Sequence, residues 1–359
     1  MEIDDLLKIA VEKRASDVHL RVASPPVLRI DGALTPQTDL PPLSGDDLQK
    51  ILESITTPEQ RATFTRELEL DFAHGVPGVA RFRVNAFRQR GTIGFVFRQV
   101  PFKIPTIEEL HLPPICKELI LKPRGLILVT GPTGSGKSTT MAAMVDYLND
   151  TASKNVITIE DPIEYLHRNK KCIVAQRDLG DDTKSFDIAL VHALRQDPNL
   201  IVVGEMRDLV TISTAIRAAE TGHLVMGTLH TTDAPQTVDR VIDIFPPDQQ
   251  AQIRLQFSQV LEAVISQALL PLAQGKGRVG AFEILLASPA VRNLIRDGKT
   301  YELHSMMQLG SKDGMITLDQ ALADLVKKGT VTQEIALLKS SHPDRLSKML
   351  QATPSRPSF

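Results

Sequence analysis

Three glycines, a lysine and a serine carry the most specific chemistry in this sequence, in the run Gly131-Pro132-Thr133-Gly134-Ser135-Gly136-Lys137-Ser138. Gly, four residues, then Gly-Lys-Ser is the spacing of a loop that wraps a phosphate chain. The glycines let the backbone approach closely with successive N–H groups turned inward, and a following helix adds the positive end of its dipole. Lys137 is expected to reach the terminal phosphates and Ser138 to offer its hydroxyl to magnesium. Thr133, Gly134, Ser135, Gly136 and Thr139 complete the expected contacts to nucleotide, with ATP and magnesium as the implied ligands.

Carboxylates follow at two places. Val156-Ile157-Thr158-Ile159 runs into Glu160-Asp161-Pro162-Ile163-Glu164, and Pro162 cannot continue a central strand, so the acids gather at its C-terminal tip. Ligands of open α/β sheets bind at that edge. Transfer of a phosphoryl group to water needs one group to orient the water and another to help hold magnesium; Glu160, Asp161 and Glu164 are the candidates. Leu200-Ile201-Val202-Val203-Gly204-Glu205 is a second apolar strand ending in an acid, with Gly204 where Asp often stands. Glu205 is therefore the expected magnesium-side carboxylate. His223 and His230 bracket a third strand, and their odd separation puts them on opposite faces if the strand is unbroken. His230, at the C-terminal tip, is the phosphate-sensing candidate; His223 is expected to be structural.

Arg81, Arg83, Arg88, Arg90 and Arg98 occur within eighteen residues that contain no lysine. Planar guanidinium forks suit phosphate. A solvated sheet face, arginines that complete a neighbouring nucleotide site, and a nucleic-acid patch all fit the pattern. The last is disfavoured by a net charge of −2.

The elements that must position these groups fall into two textures. An amphipathic opening helix is followed by alternating strands around Val18–Val22 and Val27–Ile30, then the turn pair Asp31-Gly32. A helix near Gly45 to Ile55 and strands around Leu68–Ala73, Ala80–Arg90 and Thr92–Val100 complete an α+β region. Prolines crowd residues 101–114, which the pattern predicts to be a linker. Beyond Pro123, apolar strands at Leu126–Thr130, Val156–Glu160, Leu200–Val203 and Leu224–Leu229 alternate with helices, the pattern of a mainly parallel α/β sheet. An edge hairpin is expected around Val279–Ala287, helices to about residue 350, and a disordered tail over 351–359. The 359 residues exceed one ordinary core. Cys116 and Cys172 lack CxxC spacing, and the acidic start and the lack of a long apolar run predict a cytosolic chain.

These motifs, in this order, resemble the secretion and pilus motor ATPases over roughly residues 1–345, and within them the motors that retract type IV pili. The marks are the phosphate loop, Thr158–Tyr165, Val203–Asp208, Gly222–His230 and, most diagnostically, Ala215-Ile216-Arg217-Ala218-Ala219-Glu220-Thr221-Gly222. Gly204 is then the family's own form of the second motif. The resemblance implies a PAS-like domain over 1–100, a RecA-like core over 115–288 and a helical region over 289–350. It implies a ring hexamer with ATP between the two domains. By the same resemblance Glu164 activates water, Glu205 stands on the magnesium side, and His230 senses the γ-phosphate. Arg83 and Arg98 match arginines that reach the phosphates from the first domain. An inner-membrane pilus platform protein and an accessory motor ATPase are the implied partners, with no direct nucleic acid and a peripheral place at the inner membrane. Two cysteines cannot supply the four-cysteine zinc module of related assembly motors. Accessory pilus motors share most of the motifs and form the alternative; a RecA-like nucleic-acid translocase and a nucleotide-gated scaffold are the others.

Overall fold

The computed structural model describes residues 2–100, 103–275 and 277–351. It divides into two compact units, residues 1–103 with 163–166, and 104–162 with 167–359. Of the expected linker, Pro101 and Phe102 lie outside the described residues, as do positions 352–359 of the expected tail. Gln351, assigned to that tail, instead closes the helix Pro343–Gln351.

In the first unit, strands β1 (Asp17–Leu20), β2 (Val27–Ile30), β3 (Ala33–Pro36), β4 (Glu69–Val76), β5 (Ala80–Gln89) and β6 (Thr92–Val100) form one sheet. Its order is β3-β2-β1-β6-β5-β4, with every neighbouring pair antiparallel. Period-2 alternation turns Phe82, Val84 and Ala86 of β5 inward, where Phe95 and Phe97 of β6 meet them. Leu6 and Leu7 of helix Ile3–Glu12 and Leu48 and Leu52 of helix Gly45–Ile55 join that core. A helix over Pro58–Glu67 was not expected from periodicity, because it buries only Phe64. Its signal lay in the start chemistry: Thr57 and Gln60 form a reciprocal capping box and Pro58 occupies the first turn.

In the second unit the sheet order is β13-β12-β7-β11-β10-β8-β9, with β7 (Gly125–Thr130), β8 (Asn155–Glu160), β9 (Ile173–Asp178), β10 (Leu200–Val203), β11 (Leu224–Leu229), β12 (Leu261–Pro271) and β13 (Arg278–Leu286). Only β12 and β13 pair antiparallel, as the expected edge hairpin. β7, β10 and β11 are buried throughout, which is why they appear in the sequence as unbroken apolar runs. β9 is an edge strand with mostly part-exposed residues and no such run, so periodicity did not reveal it. Apolar cores lie on both faces of this sheet. Helices Leu318–Lys327, Gln333–Lys339 and Pro343–Gln351 make a smaller core with Leu270 and Val279 of the hairpin. Among the described residues, no helix is long and apolar enough to cross a membrane.

Candidate nucleotide site

The phosphate loop joins β7 to the helix Lys137–Thr151 at the C-terminal edge of the parallel strands. Gly131, Gly134 and Gly136 have φ of +141°, +79° and +91°, angles that side-chain-bearing residues rarely adopt. Gly131 has a second constraint, since a Cβ there would lie 2.4 Å from the Gln267 carbonyl oxygen. The helix has no side-chain cap at Gly136, and a helix N-terminus of this kind carries the positive end of the dipole toward an anion. The Lys137 ammonium folds back on the loop, donating to the carbonyls of Gly131 at 2.8 Å and Pro132 at 3.3 Å. Ser138 and Thr139 lie on the first helical turn, half-buried.

Beside the loop in sheet order, β11 and β10 carry the next groups. The Glu205 carboxylate accepts from Nη2 of Arg207 at 2.6 Å and lies 2.5 Å from Arg207 Nε and 2.8 Å from His230 Nε2. Burial alone would raise this carboxyl, but the Arg207 fork and the His230 ring hold it below the usual carboxylate range. Sequence reasoning brought Glu205 and His230 to the same edge but gave Arg207 no role, although it stood inside a quoted motif. A bidentate Arg–carboxylate pair fixes direction as well as charge. Neither histidine lies in β11: His223 precedes it and His230 follows it. The parity argument about opposite faces therefore does not apply. His223 makes local contacts, its Nδ1 meeting the Ala218 carbonyl at 3.0 Å and the Thr221 hydroxyl at 3.2 Å.

Gly204 has a steric reason to be glycine. A Cβ there would lie 3.0 Å from the Ile159 carbonyl oxygen and 3.2 Å from Glu160 Cα, where β8 ends. The Gly204 N–H donates to that carbonyl at 2.7 Å, and the Thr228 hydroxyl donates to the Gly204 carbonyl at 2.5 Å. An aspartate here would require the end of β8 to give way by a few tenths of an ångström.

The acids after β8 separate. Glu160 Oε1 accepts from the Thr158 hydroxyl at 2.6 Å and Gln176 Nε2 at 3.0 Å, a structural engagement that ties β8 to β9. Asp161 is exposed. Glu164 is exposed too, in the segment 163–166 that groups with the first unit. Asp208 caps helix Leu209–Glu220 and Gly222 follows its end at φ +104°. Glu220 accepts from Gln256 Nε2 at 3.3 Å.

Within the first unit the arginine run resolves into different tasks. Arg90 and Gly91, with φ of +48° and +75°, make the two-residue turn between β5 and β6. Arg88 lies over the Phe64 ring at 5.6 Å. Arg83 and Arg98 face each other across β5 and β6, both exposed. Like charges directly opposite on a sheet repel. Asp17, paired with Arg98 in register and 4% exposed, offsets this by accepting from Arg98 Nε at 2.8 Å. Two exposed guanidinium groups thus stand opposite each other in the sheet.

Comparison with known proteins follows the same outline. The family described as "Type II/IV secretion system protein" matches residues 2–275. The chain is 50% identical over 344 residues to the type IV pilus retraction ATPase PilT of Pseudomonas aeruginosa, covering 96% of this chain and 99% of that protein. It is 42% identical to the same organism's type IV pilus ATPase PilU, over 98% of this chain and 92% of that protein. A crystal structure of the pilus retraction motor PilT with bound ADP superposes with a TM-score of 0.89 at 48% identity, covering 97% of this chain and 99% of that one. With the family model matching residues 2–275 and a relative 50% identical over 96% of its length, the chain belongs to the type II/IV secretion system protein family.

Proposed function

We propose that this protein is an ATP-hydrolysing ring motor that retracts type IV pili, working as a homohexamer in the cytoplasm and docked at the inner membrane through a platform protein. The observation that carries the reading is the shared sheet edge: a glycine-built phosphate loop beside an Arg207–Glu205–His230 network, in a chain half identical over 96% of its length to a retraction ATPase.

Each residue then has a physical task. Lys137 exchanges the Gly131 and Pro132 carbonyls for the nucleotide's terminal phosphates. Glu164 accepts the proton of the attacking water. His230 turns between Glu205 and the γ-phosphate, so its ring registers whether that phosphate is present. Arg83 and Arg98 answer the phosphates when the first unit closes, and hydrolysis releases them. The hydroxyl of Ser138 and the carboxylate of Glu205 are hard oxygen donors of the kind magnesium takes. When bound, magnesium supplies neutralisation of phosphate charge. Both oxygens of Glu205 are engaged by Arg207 or His230, which fix the direction in which the carboxylate would face the ion.

The test has two arms. Purified parent protein should hydrolyse ATP, and Lys137→Ala should lose at least about a hundredfold in turnover, because preorganised charge dominates this chemistry. Parent-like turnover in that variant refutes the site. In cells, deletion should leave surplus pili that fail to retract; bald cells would point to assembly instead.

A further inference from the structure

The phosphate loop does not hold its shape alone. β12 pairs with β7 up to Ser266 and Thr130, whose hydroxyls meet at 2.8 Å, and then runs on beside the loop where β7 has ended. The first residue past that point is Gln267, 4% exposed. Its side-chain Nε2 donates to the Ser135 carbonyl at 2.7 Å. Two of the loop glycines are shaped around the same residue. A Cβ on Gly131 would lie 2.4 Å from the Gln267 carbonyl oxygen, and one on Gly136 would lie 3.2 Å from Gln267 Nε2.

We infer that Gln267 is a positioning residue for nucleotide binding: it fixes the Ser135–Gly136 peptide so that the loop's amides are aimed before nucleotide arrives. This inference rests on the nucleotide-site reading above. In a trans peptide the carbonyl and the next N–H point in opposite directions. Holding the Ser135 carbonyl toward β12 therefore sends the Gly136 N–H away from β12, toward the phosphate side of the loop. A glycine on the far side of a peptide bond gives the link little resistance to rotation, so without an anchor the plane can turn and the amide loses its aim. The Gln267 hydrogen bond supplies that anchor from a strand, a stiffer support than the loop itself. The chosen side chain is apt, since an amide NH2 offers a donor on a stem that remains buried and uncharged.

A preorganised amide contacts phosphate in the bound substrate as well as during transfer. Its loss should therefore raise KM while leaving kcat nearly unchanged. Gln267→Met keeps the length and burial of the side chain and deletes the donor. Its expected effect is about a tenfold rise in KM for ATP and a matching loss of ADP affinity, equivalent to about 1.4 kcal/mol, with kcat within about twofold of the parent. Gln267→Glu keeps the shape but sets an acceptor against the Ser135 carbonyl, and its KM should rise further. ADP titration followed by fluorescence reports the folded molecules alone, so partial misfolding does not mimic the result. Unchanged ADP affinity in both variants overturns the inference. So does a loss of kcat at constant KM, or a loss of thermal stability without nucleotide alongside parent-like affinity, since either marks a merely structural bond. Failure of the parent itself to bind ADP would instead overturn the nucleotide-site reading beneath it.

Discussion

Replacing Glu283 by glutamine should remove a pH dependence built into the edge hairpin. Glu283 lies on β13 and is 2% exposed. Its Oε1 accepts the Ala234 N–H at 2.8 Å and its Oε2 accepts the Leu318 N–H at 3.1 Å. These are the first residues of two helices, and Ala234 follows shortly after His230. Burial pushes the carboxyl up from 4.5 to about 7; the two backbone donors oppose the rise, and the charges of Asp233 and Asp319 add to it. The folded value lies above the unfolded one, so the associated stability is complete below 4.5 and is lost as the pH climbs through about 7. At about 1.36 kcal/mol per unit the span is about 3.4 kcal/mol, of which about 2.5 kcal/mol disappears between pH 5 and pH 8. Glu283→Gln has no proton to lose, but its NH2 faces one of the two backbone donors, a mismatch that costs about 1–3 kcal/mol at every pH. The parent should therefore be the more stable at pH 5, with the difference shifting by about 2.5 kcal/mol toward the variant by pH 8. Native-state hydrogen exchange over Ala234–Asp243 and Leu318–Lys327, corrected for intrinsic rates, measures the opening free energy where the bonds are made. A parent–variant difference that stays constant to within about 0.5 kcal/mol across that range refutes the reasoning.

Three further outcomes follow from the geometry. Arg207→Ala removes the fork that holds Glu205 down, so the acid limb of the ATPase pH profile should move to higher pH; an unmoved limb would show that Glu205 is not the titrating group. Gly131→Ala forces a Cβ against the Gln267 carbonyl at a φ of +141°, and its nucleotide affinity by titration calorimetry should fall at least about a hundredfold; near-parent affinity would mean that the loop opens without cost. Asp17→Ala leaves Arg98 without its acid beside Arg83 and should destabilise the first unit by about 1–2 kcal/mol in urea unfolding, a figure discounted because Arg98 is exposed. No change there would mean that the arginines do not repel.

Local spacing was enough to reveal the phosphate loop and the buried parallel strands, because each depends on residues near one another in the chain. A glycine-rich loop and an apolar run keep their physical meaning wherever the fold puts them. Elements without hydrophobic periodicity were lost: helix Pro58–Glu67, which buries a single side chain and is marked only by its capping box, and β9, a half-exposed edge strand. The sequence also could not divide its own arginines. Only strand register put Arg83 opposite Arg98 and Asp17 beside them, while a turn claimed Arg90 and an aromatic ring claimed Arg88. The same holds for Gly204, whose missing side chain became intelligible once the end of β8 was seen pressed against it. Arg207 and Gln267 gained their roles through contacts with Glu205 and Ser135; Gln267 lies 132 positions from its partner. Hydrogen bonds and desolvation act over a few ångströms in space. Which side chains come within that reach is settled by how the strands order themselves in the sheet.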